Sequence, residues 1–157
     1  ILAILGGHAV GLLTPHQVWD FLGISASFKQ MIAMGVGGFF GLICLYGLLI
    51  LLKRRMTNPR VRASSNPMDI AILWLLLAQL LLGLSSIFVS AGHMDGSEML
   101  KLMAWAQNTV TLDISEAVAA MDGVHWIFKA HIVLGMTLFV VFLNYGILMV
   151  ILIILCK

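Results

Sequence analysis

From about Ser27 to Leu52 the chain holds one charged residue, Lys29, and then closes on "KRR". A stretch this long and apolar has few options. Lipid cannot satisfy its backbone hydrogen bonds, so it must be a helix that satisfies its own. Three more apolar segments share the chain. Helix A runs from the start to about Leu13, where "TPH" breaks it. Helix C opens after "SSNPMD", a helix-start signal with Pro67 in its first turn, and continues to about Ser90. Helix D runs from about Gly123 to the end.

Composition agrees with that reading. Hydrophobic residues make up 61% and charged residues 10%, with a mean hydropathy of +1.06. A soluble domain carries roughly 25% charged residues. The apolar surface exceeds what one small core can hide, so lipid is its solvent. A net charge of +2 with no basic run among aromatics argues against nucleic acid. Cys44 and Cys156 lie in separate apolar runs, read as inert.

The loops orient the spans. "KRRMTNPRVR", between helices B and C, carries Lys53, Arg54, Arg55, Arg60 and Arg62 and no acid, which places it in the cytoplasm. The A–B and C–D loops then face outward and hold every acid except Asp69. Within the C–D loop, Met99, Leu102, Met103 and Ala106 recur at helical spacing and predict a short helix on the outer surface. The expected fold is an all-α membrane protein, a single transmembrane domain over 1–157 built as a four-helix bundle plus this interfacial helix. Helix A reaches only about 20 Å against a hydrocarbon core of roughly 30 Å. With no initiating methionine and no charged n-region, it reads as the outer part of a longer span.

Two of the five histidines fall within spans. His8 precedes Pro15 by seven residues, about 10 Å below the outer end of helix A. His131 follows Gly123 by eight residues, about 12 Å below the outer start of helix D. The helices run in opposite directions, yet the rings reach the same depth. Two neutral imidazoles facing each other across a bundle can hold a haem iron from both sides. Zinc suits the site less well, because it wants about four ligands and no thiolate or carboxylate lies at that depth. Each ring alone also fits an ordinary interhelical hydrogen bond. Gly7 and Gly11 flank His8, and Gly135 lies one turn after His131, so a flat macrocycle or a neighbouring helix could approach there. His16 and His93 fit capping or solvated roles, and His125 fits the headgroup region. Lys29, at the outer start of helix B beside Gln30, can snorkel to the surface or reach the mouth of the pocket.

The stretches "GHAVGLLTPH", "LLKRRMTNPRVRA", "HMDGSEMLKLMAWAQ" and "DGVHWIFKAHIVLGMTLF", with Lys29–Gln30, occur in family order. Over residues 1 to about 142 the chain resembles the gamma subunit of respiratory nitrate reductase, a membrane cytochrome b. The resemblance implies a multi-pass protein of the cell inner (cytoplasmic) membrane. It implies oxidation of quinol near the outer face, with electrons passing to an iron–sulphur beta subunit and a molybdenum alpha subunit on the cytoplasmic side. No nitrate-reducing site is expected in this chain. On the family pattern His8 and His131 match the axial ligands of the outer haem b, and Lys29 matches the lysine of the quinol site.

From Leu143 onward the pattern departs. The family's inner haem takes one histidine ten residues before His8, upstream of Ile1, and another at the position of Met149. Methionine can ligate haem iron, but Met149 is read as lipid or core filler, so the chain completes only the outer site. Two alternatives remain: a haem-binding structural anchor with impaired electron transfer, and a haem-free small membrane protein. Acids at the midplane would mark a transporter, and no acid lies within a span.

Overall fold

The computed structural model describes residues 1–155, with side chains for residues 1–144. The sequence readings for Met149 and Cys156 lie outside the described side chains. Among the described residues there are eight helices: α1 (Leu2–Leu13), α2 (His16–Phe21), α3 (Ala26–Thr57), α4 (Pro59–Ala63), α5 (Pro67–Ala91), α6 (Ser97–Val110), α7 (Ile114–Ala120) and α8 (Trp126–Leu155). Three of them, α3, α5 and α8, are long and apolar enough to cross a membrane, and α1 is a shorter apolar helix. The chain is an all-α, multi-span membrane protein. Large apolar side chains such as Phe39, Leu42, Tyr46 and Phe139 point outward along these helices, as lipid-facing positions must.

Local chemistry sets the helix ends. The Ser25 side chain caps α3 by accepting from the Phe28 amide. At its other end α3 runs past Leu52 through the basic residues to Thr57, farther than the apolar pattern predicts. Thirty-two residues span about 48 Å, more than the roughly 30 Å of hydrocarbon, so the charged end has room to stand clear of lipid. Asn58 caps α4, and Asn66 forms a capping box with Asp69 at the start of α5. Arg55 ties this turn together, donating to Asp69 at 2.8 Å and to Ser65 at 3.1 Å. The α3–α5 hairpin is thereby closed at its basic end.

The long helices meet through small residues. α3 packs on α5, and α5 packs on α8. A Cβ at Gly41 would stand 2.7 Å from a Leu84 methyl, and one at Gly38 would stand 3.4 Å from Ile87. Glycine lets these backbones approach where apolar side chains gain nothing by leaving lipid. Among the described residues α1 packs on α3 and α6 instead, with no comparable contact to α8. The side between α1 and α8 is therefore the loosely closed side of the bundle.

Candidate functional site

His8 and His131 meet across that side. Their ring centroids are 6.1 Å apart and the planes are tilted by 34°. Counted on the observed helices, His8 lies five residues before Leu13 and His131 five residues after Trp126. The matched depth read from the sequence corresponds to a spatial pairing. Helix α8 starts at Trp126 rather than Gly123, because Gly123 takes a positive φ of 68° and turns the chain.

One nitrogen of each ring is held by protein. His8 donates from Nδ1 to the Ile4 carbonyl at 2.8 Å. A carbonyl can only accept, so the neutral ring keeps its lone pair on Nε2. His131 Nε2 lies 3.4 Å from the Gln79 side-chain amide, while its Nδ1 is buried without a partner. The pair thus offers nitrogen donors in a largely apolar setting. Among the described residues no three His, Cys, Asp or Glu side chains converge as a metal site. Two imidazoles suit a metal that brings its other ligands with it.

The glycines named from the sequence divide here. A Cβ at Gly7 or Gly11 would meet nothing within 4 Å, so both face open space on α1. Gly135 is different: its Cβ would stand 2.9 Å from the Gln79 amide nitrogen, so it makes room for a side chain of α5.

Lys29 turns inward instead of snorkelling. Only 7% of its surface is exposed. Its Nζ donates to the Met103 sulphur at 2.9 Å and sits 4.5 Å from the centre of the Trp19 ring. A thioether is a weak acceptor and an aromatic face is an electrostatic partner only. The ammonium keeps donor capacity to spare. Beside it, Gln30 donates to the carbonyls of Ser90 and His93, both at 2.9 Å, tying α3 to the end of α5. The indole nitrogen of Trp19 and Oε1 of Gln30 are buried and unpartnered.

The segment between α5 and α8 builds the lid of this region. α6 buries Met103 and Ala106, two residues of the apolar stripe read from the sequence, against α1 and α3. Gln107 donates to the carbonyls of Leu12 and Thr14 at 3.1 and 3.3 Å, capping the end of α1. Before α6, Gly96 has a φ of 81°, and a Cβ there would stand 2.6 Å from that of Ala26. The Ser97 hydroxyl and amide donate to Asp95 and hold its carboxyl below the usual range. This turn presses the loop onto Ala26 at the start of α3, three residues from Lys29.

The remaining histidines serve helix ends. His16 pairs with Asp20 at 3.3 Å within α2. His125 precedes α8, where its Nδ1 accepts from the Ile127 amide at 3.3 Å. His93 is exposed and contributes its carbonyl to Gln30. The sequence reading passed over Trp19, Gln79 and Gly83, and it gave Met103 only as part of the apolar stripe. The available signal was Gln79, a polar side chain in an otherwise apolar span, four residues before a glycine.

A family model described as nitrate reductase gamma subunit matches residues 1–151. Among curated relatives, the respiratory nitrate reductase 1 gamma chain of Escherichia coli (strain K12) is 51% identical over 142 residues, 90% of this chain and 62% of the relative. The respiratory nitrate reductase 2 gamma chain of the same organism is 49% identical over 143 residues, with the same coverage. The nitrate reductase gamma chain of Bacillus subtilis (strain 168) is 33% identical over 140 residues, 89% of this chain and 62% of that protein. The chain spans about 62% of the length of these relatives.

Proposed function

The chain belongs to the nitrate reductase gamma subunit family, and on that premise we propose that it is the membrane cytochrome b subunit that oxidises quinol for the enzyme. Electrons pass toward an iron–sulphur beta subunit and a molybdenum alpha subunit on the cytoplasmic side, where the basic α3–α5 turn would meet them. The membrane is the cell inner membrane, with α3, α5 and α8 crossing it. Nitrate reduction itself belongs to the partner.

The observation that carries the proposal is the His8–His131 pair. Two imidazoles brought together from different helices in an apolar setting would hold the iron of a haem b. The rings stand 6.1 Å apart. His8 keeps a lone pair on Nε2, and His131 has a ring nitrogen that no protein group holds. The open faces of Gly7 and Gly11 leave space beside them. Haem b bound by His8 and His131 supplies reversible one-electron transfer.

The protein's own work concerns the quinol. Lys29 has donors that Met103 and Trp19 leave unsatisfied. A quinol oxygen can accept one of them, and the cation favours negative charge on that oxygen as its proton leaves to outside water. The α2 and α6 side chains around Lys29 exclude bulk water, which strengthens that interaction.

Haem content per chain, measured in the purified complex for the parent, His8→Ala and His131→Ala, tests the proposal. Each substitution is expected to remove one haem and its optical bands. A parent spectrum with no haem, or variants whose spectrum is unchanged, rejects it.

A further inference from the structure

The end of α6 places a leucine where the backbone favours glycine. The Asp113 amide donates to the Asn108 carbonyl at 2.9 Å, and the Leu112 amide donates to that of Thr109 at 3.3 Å. This pair of bonds closes a helix through one left-handed residue, a position that glycine usually takes. Leu112 takes it here with a φ of 63°, and among the described residues every other positive φ belongs to a glycine. Its side chain is 82% exposed. Glycine would end the helix with less strain. The turn alone therefore gives no reason for a leucine, and the protein scarcely touches its side chain.

Leu112 has apolar company. Val110, Ile114 and Val118 are exposed as well. On α7, Ile114 and Val118 lie one turn apart and share a flank, while Ala117 is buried where α7 packs on α6. Glu116, also exposed, lies about half a turn round from that flank. The segment is amphipathic, and its apolar flank stays uncovered.

Contacts with the spans set its level in the membrane. α6 lies across their ends: Lys29 near the start of α3 donates to Met103, and Gln107 caps the end of α1. Only five residues lead from α7 to α8, and they are folded into turns in which Asp122 donates to Ala119 and Val124 to Met121. Lys101 of α6 pins this link by donating to the Asp122 carbonyl at 3.1 Å. α8 then begins at Trp126, an exposed indole of the kind that collects at membrane–water interfaces. At that level the apolar phase beside the protein is lipid.

We propose that Val110, Leu112, Ile114 and Val118 form an interfacial anchor, immersed in lipid where α8 enters the membrane, with Glu116 left in water. Segments of this type seat their apolar side chains at the boundary between headgroups and acyl chains. The strained turn holds Leu112 away from the protein so that it reaches that layer. The anchor is independent of the haem reading of His8 and His131.

The test is made in cell membranes holding the full protein, with p-benzoylphenylalanine in place of Leu112, Val118 or Glu116 in turn. After irradiation, the products joined to this chain are identified by mass spectrometry. Phospholipid adducts at the Leu112 and Val118 positions are expected several-fold above those at the Glu116 position. Adducts mainly with protein at either apolar position, whether a second copy or another subunit, overturn the proposal. Equal lipid yields at all three positions overturn it too, as does an absence of lipid adducts.

Discussion

Two sides of the bundle use glycine in opposite ways. Along α3, α5 and α8, Gly38, Gly41, Gly83 and Gly135 are filled notches, each within van der Waals reach of a named side chain on the next helix. On α1, Gly6, Gly7 and Gly11 face nothing within 4 Å. In lipid, where apolar burial adds little, close backbone approach is what holds helices together. The α3–α5–α8 arm is therefore a packed scaffold. α1 is attached through α3, α6 and the Gln107 cap, and it leaves open the side on which His8 meets His131. One histidine rides on the packed arm and the other on the loosely enclosed helix, whose glycines meet nothing within 4 Å.

The strongest attempt to break this contrast is Gly83→Leu. The added side chain must push into His131, and a displacement of about 1 Å at a reacting centre can cost about 10²-fold. Quinol-dependent activity is expected to fall at least that far, with haem content reduced. Gly37→Leu, at a glycine of α3 that meets nothing within 4 Å, is the matched control and should retain both.

Lys29→Ala leaves both histidines and the scaffold untouched. Stopped-flow reduction by quinol should slow by about 10²-fold, the usual cost of removing a donor to a developing anion. Haem content should stay at the parent level. Equal losses of haem and rate would make Lys29 a structural residue.

Gly96→Ala strains a left-handed backbone position and drives a Cβ into Ala26. The expected cost is about 1–3 kcal/mol, read as a lower thermal midpoint for the outer region. No change there would mean that the loop relaxes freely.

Gly11→Ala gives the smallest effect and the sharpest one. Nothing meets the new methyl in the protein, and alanine gains about 0.5–1 kcal/mol over glycine within a helix. The helix should become slightly more stable while haem occupancy at the His8 site falls. A rise in stability with full occupancy would show that α1 does not need its bare face.

Much of this molecule was legible in its letters. The apolar runs gave the all-helical membrane class and located the long helices. The "SSNPMD" signal marked the start of α5, and the spacing of Met99, Leu102, Met103 and Ala106 marked α6. The equal depth of His8 and His131 was also readable, because distance along a helix is a local quantity of about 1.5 Å per residue. Short helices such as α2 and α7 were not predicted, since six or seven residues carry too little periodicity to register.

Depth does not fix direction. Which way a side chain points around its helix depends on partners far away in sequence, and only the assembled structure decided that. Lys29 could have reached water, and it faces Met103, seventy-four residues on. Gly7 and Gly135 looked alike as small neighbours of a histidine, but one borders open space and the other seats Gln79. The sequence determined which segments enter lipid, because transfer from water is a property of each segment alone. The tertiary structure decided which groups meet there, because contact is a property of pairs.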